Sequence, residues 1–225
     1  MKNSQFLSET PQMTAKQFEL QRQQMLEKHL GDRGIDDEKV LTAMSKVPRH
    51  LFIDSSYREF AYSDRPLPIG YEQTISQPYI VAYMTRAAEI TANDKVLEIG
   101  TGCGYQTAIL GEIARQVYSV EIIPQLANRA SQILEQLGYQ NIKIKTGDGY
   151  QGWKEYAAYD AIIVTAAPEY IPQALIEQLA IGGKLVVPVG KWHQEIVVLT
   201  KTETEIIQQA TISVRFVPMK KTSFD

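Results

Sequence analysis

Glu98-Ile99-Gly100-Thr101-Gly102-Cys103-Gly104 is the stretch of this chain best suited to hold a ligand. A strand-like run, Lys95 to Ile99, leads into it and a helix-forming run, Tyr105 to Arg115, leaves it. In that setting glycines let a backbone pass close to a bound molecule. A dinucleotide fingerprint would carry another glycine three residues after Gly102, where this chain has Tyr105, so a pyrophosphate cradle is only partly supported. Glu121 follows about 20 residues later at the end of the next strand, where a carboxylate can accept hydrogen bonds from both hydroxyls of a ribose. Asp148 stands between Gly147 and Gly149 after a third strand and can meet the exocyclic amine of adenine, the glycines letting the ring approach. Glu98 can face an ammonium group or a backbone amide. A bare glycine turn serves equally well as plain structure; the three ordered acidic positions point to an adenosine carrying an amino acid and no phosphates.

The elements that must position these groups alternate. Lys95–Ile99, Val117–Ile122, Ile142–Lys145, Ala161–Thr165 and Lys184–Val189 read as strands, and Tyr105–Arg115, Pro124–Leu137 and Pro172–Ala180 as the helices between them. That is the pattern of a mostly parallel sheet with helices on both faces, an α/β Rossmann-like core. Ahead of it, Thr14–Leu30 is rich in helix formers, with Phe18, Met25 and Leu26 as packing points. Asp36 and Asp37 open a second helix with Val40, Leu41 and Met44 on its apolar stripe, and Pro48 ends it. Residues 49–76 read as a long loop with five aromatics, and Pro78 opens a helix over Tyr79–Ile90. Glu195–Thr200, Glu205–Ser213 and the final Val214–Met219 run are β-rich with no helix between them, which predicts antiparallel strands closing one edge. The expected organisation is one domain over 1–225: an N-terminal helical extension (1–30), a helical and loop cleft region (31–94), a ligand-binding core (95–190) and a β-rich edge (191–225).

Composition narrows the partners. The 225 residues carry 23 Lys+Arg against 26 Asp+Glu, a net charge of -3, the wrong sign for a protein held mainly by phosphate contacts, so no nucleic acid is expected. One cysteine, Cys103, excludes an internal disulfide, and His29, His50 and His193 lack metal-ligand spacing, so no metal is implied. Met1–Thr10 has no apolar signal core and the longest apolar runs fall short of a bilayer span; a soluble cytoplasmic protein is expected, with no membrane partner.

Val96 to Tyr105 (VLEIGTGCGY) resembles the first motif of class I S-adenosylmethionine-dependent methyltransferases. The resemblance implies that Glu98, Gly100 and Gly102, with Thr101 among them, hold the methionine end of that cofactor, Glu121 its ribose, and Asp148 with Gly147 and Gly149 its adenine. S-adenosylhomocysteine would be the product.

A more specific resemblance lies in Pro68-Ile69-Gly70-Tyr71-Glu72-Gln73-Thr74-Ile75-Ser76-Gln77-Pro78, which is similar to the active-site segment of protein-L-isoaspartate O-methyltransferases. Val47–Phe52, Gly147–Gly149, Tyr159–Ile162, Pro172–Leu175, Gly182–Leu185 and Val214–Pro218 follow that family's pattern in order, from about residue 35 to 219. Such enzymes methylate the α-carboxylate exposed when an aspartyl or asparaginyl residue isomerises, so isoaspartyl peptides and proteins are the implied partners, met by a monomer. That carboxylate is already ionised at pH 7 and needs no general base. What remains is alignment and partial desolvation, and alignment alone contributes roughly 7–11 kcal/mol in favourable cases.

By the same resemblance Ser76 is the catalytic residue, orienting the substrate carboxylate, with Thr74 and Ile75 placing it and all three beside the cofactor. Ile69 and Gly70, and Val214-Arg215-Phe216 with Val217, would lie along the peptide. Two plain readings stand beside these: a serine two residues before a helix-opening proline is a good N-cap, and Arg215 is equally a solvent-facing strand residue. Cys103 reads as chosen for small size, Trp153 and Trp192 as packing residues, and Lys220-Lys221 as too short a basic run to matter. Thr165-Ala166-Ala167-Pro168 departs from the Asn/Asp-Pro-Pro-aromatic motif of base-methylating relatives. A non-catalytic binding module on the same core is the reading from another class.

Overall fold

The computed structural model describes residues 13–221; the expectations for Met1–Thr10 and for the last four residues lie outside them. Helix α1 (Ala15–Gln24) starts at a reciprocal cap, in which Thr14 Oγ1 accepts from Gln17 N and Gln17 Oε1 from Thr14 N. It continues as a widened turn, Met25–Leu30, whose Met25 and Leu30 are fully buried. Asp37 caps α2 (Glu38–Lys46), taking the amides of Lys39 and Val40 on one oxygen. Its buried stripe is Val40, Ala43 and Met44, with Leu41 only half-buried.

The expected loop over 49–76 holds more structure than its breakers suggest. Short 3-10 turns cover Arg49–Phe52 and Ser55–Phe60, and an antiparallel hairpin forms from β1 (Leu67–Gly70) and β2 (Gln73–Ile75). Its turn residues Tyr71 and Glu72 both have positive φ, 54° and 61°. Hairpin turns of that kind usually carry Asn or Gly, so Tyr71 and Glu72 carry no turn signal. Helix α3 (Pro78–Ala87) follows.

The main sheet has seven strands in the order β5-β4-β3-β6-β7-β8-β9. Its strands are β3 (Lys95–Ile99), β4 (Gln116–Glu121), β5 (Ile142–Thr146), β6 (Tyr159–Val164), β7 (Leu179–Val189), β8 (Gln194–Lys201) and β9 (Ile206–Val214). Strands β3 to β7 pair in parallel, crossed over by α4 (Tyr105–Ile113), α5 (Pro124–Gln136) and α6 (Gln173–Glu177), while β8 and β9 return antiparallel. Alternate residues go to opposite faces: Val96, Ile163 and Val186 join the core beneath α2, α3 and α4, whereas Leu97, Ile162 and Leu185 join a second core with Tyr159 and Leu175. Each such side chain, buried whole, contributes about 1.5–3 kcal/mol.

Three expectations change at the far edge. Helix α6 ends at Glu177, because Lys201 Nζ reaches across from β8 to the carbonyls of Ile176, Glu177 and Leu179. Gly182-Gly183, expected behind a longer helix, lie inside β7 where its pairing with β6 slips register. The Val214–Met219 run leaves the sheet after Val214 and makes only a bridge between Ala167 and Pro218. Trp192 is 86% exposed in the turn before β8 and packs no core, unlike Trp153, which meets Tyr118 and Tyr156 edge-on.

Candidate active site

Sheet order reverses between β3 and β6: from β3 the chain crosses outward to β4 and β5, then returns past β3 to β6. The crevice at the carboxyl ends of those strands is where such sheets take ligands. Gly100–Gly104 leaves β3 there, and Thr165 leaves β6 beside it. Gly100 N donates to the Val120 carbonyl and Thr165 N to the Ile99 carbonyl, which ties both exits to the sheet. Gly100 has φ 97°, and a Cβ on it would stand 2.4 Å from Thr165 Oγ1. Gly149 approaches as closely, since a Cβ there would be 2.4 Å from Ile99 Cγ2.

These exits line a cavity walled by Thr74–Ser76, Gly100–Cys103, Glu121–Ile123, Gly149 and Val217–Lys220. Glu121, only 5% exposed, accepts from Gly102 N at 2.8 Å on one oxygen and from Ile123 N at 2.9 Å on the other. Its carboxylate therefore locks the glycine loop while its remaining lone pairs face the cavity. Asp148 gives one oxygen to the Tyr150 amide and leaves the other without a partner among the described residues, next to Gly149 on the cavity wall. Gly147 is held at this end through its amide, which donates to the Glu121 carbonyl.

Glu98 is placed differently from its neighbours. It is completely buried beneath the loop, outside the cavity wall, where Thr107 Oγ1 donates at 2.5 Å and Ser119 Oγ at 2.6 Å to one carboxyl oxygen. The other oxygen has no partner among the described residues, and burial pushes the carboxyl up to about 8. Ser119 also meets Thr101 Oγ1 at 2.6 Å, so Glu98 reaches the glycine loop through two hydroxyls. Cys103 is buried, and burial pushes its thiol up to about 11, which removes it from thiolate chemistry at neutral pH.

A second hollow, a groove of about 1270 Å³, opens on the other side of Ser76. Val214, Arg215 and Phe216 line it, with Arg33, Tyr79 and Ile80 opposite. Its charged lining residues are Arg33 and Arg215, both cationic. Thr74, Ser76, Thr165 and Val217 line both hollows, so Ser76 sits where the two meet. Ile69 and Gly70 do not line the groove: Ile69 is buried against Gly102, and Gly70 is exposed at the hairpin turn.

The N-cap role for Ser76 is not taken up. Gln77 is the cap residue of α3 without a side-chain bond, and Asp64 substitutes for it, accepting the Tyr79 amide at 3.0 Å and the Gln77 side chain at 2.7 Å. Arg33 pairs with the same Asp64 and lies 3.4 Å over the Tyr79 ring. The Ser76 hydroxyl makes no hydrogen bond to the described residues, and Arg49 takes the Ser76 carbonyl at 2.7 Å. Thr165, Asp64, Arg49 and the Pro218–Lys220 tail were not legible as site residues. Only Thr165 had a cue, as the residue leaving a buried strand. His50 stacks on Phe18 and bonds Tyr62, a packing role.

A Rossmann-like sheet with a cavity at its reversal point and an acid ending the second strand is the architecture of a class I S-adenosylmethionine-dependent methyltransferase. The family profile of protein-L-isoaspartate(D-aspartate) O-methyltransferase matches residues 20–223. A protein-L-isoaspartate O-methyltransferase of Picosynechococcus is 58% identical over 203 residues, 90% of this chain and 91% of that one. The Gloeobacter violaceus protein of the same name is 56% identical over 199 residues, 88% and 97% of the two chains. A solved protein-L-isoaspartate O-methyltransferase superposes with a TM-score of 0.80 at 28% identity, over 88% of this chain and 65% of that longer one. A second, from Plasmodium falciparum in complex with S-adenosyl-L-homocysteine, gives 0.78 at 28% identity over 89% and 99%. The chain belongs to the protein-L-isoaspartate(D-aspartate) O-methyltransferase family.

Proposed function

We propose that Ser76 orients a substrate carboxylate at the junction of the two hollows, and that this is the catalytic step the site is built around. The enzyme transfers a methyl group from S-adenosylmethionine to the α-carboxylate of L-isoaspartyl residues in damaged proteins and peptides, and the ester leads through a succinimide to normal aspartate. The observation that carries the role of Ser76 is its shared place: a hydroxyl without a partner among the described residues, lining both the cavity and the open groove.

Bound cofactor supplies an electrophilic methyl on a sulfonium sulfur. The chain supplies the rest. Glu121 receives the ribose hydroxyls, the free oxygen of Asp148 receives the adenine amine beside Gly147 and Gly149, and the backbone of Gly100, Thr101 and Gly102 passes the methionine end. Thr74 and Ile75 wall that end, and Glu98 steadies the loop from below through Ser119 and Thr101. The attacking carboxylate is ionised in water, so no residue needs to take a proton. Ser76 donates one hydrogen bond to it and so would orient the carboxylate for methyl transfer, where alignment supplies the rate. Val214, Arg215 and Phe216 flank the peptide, and Arg215, which makes no ion pair among the described residues, draws an anionic chain into the groove. Ile69 acts as a buried prop for the glycine loop, with Gly70 turning the hairpin.

Among the described residues no helix is long and apolar enough to cross a membrane, and no group of three acidic, His or Cys side chains could hold a metal. Action in the cytoplasm fits substrates that are damaged intracellular proteins. The test is methyl transfer from labelled S-adenosylmethionine to two synthetic peptides that differ only in one isoaspartyl or normal aspartyl linkage. Base-labile label on the isoaspartyl peptide alone is the expected result; equal label on both would overturn the substrate reading.

A further inference from the structure

Arg49 is the bulkiest of the fully buried side chains, and it makes no ion pair among the described residues. A buried cation without an acid partner is costly, and an apolar side chain of similar volume would serve the core better. What the guanidinium offers in exchange is a rigid planar fork. Its Nε donates to the Ala61 carbonyl and its Nη2 to the Ser76 carbonyl, both at 2.7 Å, while the group lies 4.7 Å over the Tyr105 ring. One fork thus ties the segment before the hairpin to the residue just after it.

The anchored carbonyl fixes more than itself. In a trans peptide the C=O of one residue and the N–H of the next point in opposite directions. The Ser76 carbonyl points inward to buried Arg49, so the Gln77 N–H points outward, and Ser76 and Gln77 both line the groove. Gln77 N donates to no acceptor among the described residues, and the Ser76 hydroxyl is equally free. Two unused donors on adjacent residues, facing an open groove with no acid in its lining, match the two oxygens of a carboxylate.

Resting on the reading of Ser76 above, we propose that Arg49 is a positioning residue for methyl transfer, which by holding the Ser76 carbonyl inward aims the Ser76 hydroxyl and the Gln77 N–H together at the substrate carboxylate. Lysine at position 49 keeps the charge and loses the fork. Arg49→Lys is expected to lower kcat about 10²-fold while the dissociation constant for S-adenosylhomocysteine stays within about threefold. Introduced into Ser76→Ala, the same change should lower kcat by less than about threefold, because two groups acting as one unit do not add. Wild-type kcat in Arg49→Lys, or an equal loss in both backgrounds, overturns the inference and leaves Ser76 standing. Full kcat in Ser76→Ala alone overturns the reading of Ser76 and the inference with it. A measurement on the unaltered chain does not depend on folding of variants: with S-adenosylhomocysteine bound, the Gln77 amide proton should move downfield when the isoaspartyl peptide is added, and a resonance that stays in place overturns the proposal.

Discussion

Thr165 Oγ1 donates to the Gly100 carbonyl at 2.6 Å, and that same oxygen occupies the place where a side chain on residue 100 would begin, 2.4 Å from an ideal Cβ. The two exits of the central strands are locked by one hydroxyl that only glycine admits. Gly100→Ala must strain a left-handed backbone, about 1–2 kcal/mol, and also displace Thr165. The variant should bind S-adenosylhomocysteine at least about tenfold more weakly by calorimetry. Unchanged affinity would mean the loop is softer than its contacts imply.

Ser76→Ala removes a hydroxyl with no partner among the described residues, so stability should hardly move, within about 0.5 kcal/mol. Methyl transfer should fall roughly 10²-fold in kcat, with cofactor affinity nearly unchanged. Steady-state kinetics on an isoaspartyl peptide, paired with a thermal melt, separates this from a folding defect.

Glu121 holds two backbone amides before any ligand arrives. Glu121→Ala leaves both N–H groups without their acceptor and removes the proposed ribose contact, each charge-assisted bond contributing about 1.5–3 kcal/mol. Cofactor affinity should drop about 10²-fold or more, with kcat at saturating cofactor less affected. A loss confined to kcat would place Glu121 outside the binding of ribose.

Glu98 links proton uptake to folding. Its carboxyl is pushed up to about 8 in the folded chain against 4.5 in the open chain, mainly by burial. Between those values the folded state keeps a proton that the unfolded state has released. Its contribution to stability is therefore full below pH 4.5 and is lost as pH rises through about 8. Glu98→Gln cannot ionise, so urea unfolding at about pH 5 and about pH 9 should show the variant gaining on the wild type at the higher pH. An identical gap at both pH values would rule out a proton on Glu98.

Asp64 caps α3 from outside the helix and also holds Gln77 and Arg33. Asp64→Ala should cost about 1–2 kcal/mol, typical of a lost cap, seen as a lower melting temperature by roughly 2–8 °C. Because the cap adjoins Ser76-Gln77, kcat should fall as well; a melt shifted without any change in kcat would separate the cap from the active segment.

The strands of the core and the glycine turn were readable because their signals are local. Apolar runs such as Ala161–Val164, a glycine at each tight point and acids spaced by one βα unit all follow from the chain's own periodicity. The hairpin over 67–75 was not, since its turn uses Tyr71 and Glu72 in conformations those residues seldom adopt, held by the surrounding packing. The short α6 and the bulge at Gly182-Gly183 escaped for a related reason: Lys201, distant in sequence, ends the helix.

Within the site, Glu121 and Asp148 were singled out by residue type and order, and Ser76 by the resemblance of its segment to a family's active-site run. Their division of labour was set by the tertiary structure. Glu121 ends its strand and Glu98 stands one residue before the end of its own, and the pleat turns Glu98 into the core and Glu121 to the cavity rim. Ser76 could have capped its helix; Asp64, brought up by the folded loop, caps it instead and leaves the hydroxyl free. Arg49, unremarked as chemistry in the sequence, becomes the anchor of the active segment only once the fold buries it between two carbonyls. Sequence specifies what a side chain can donate, accept or bury, while only the packed chain decides which partner is within reach.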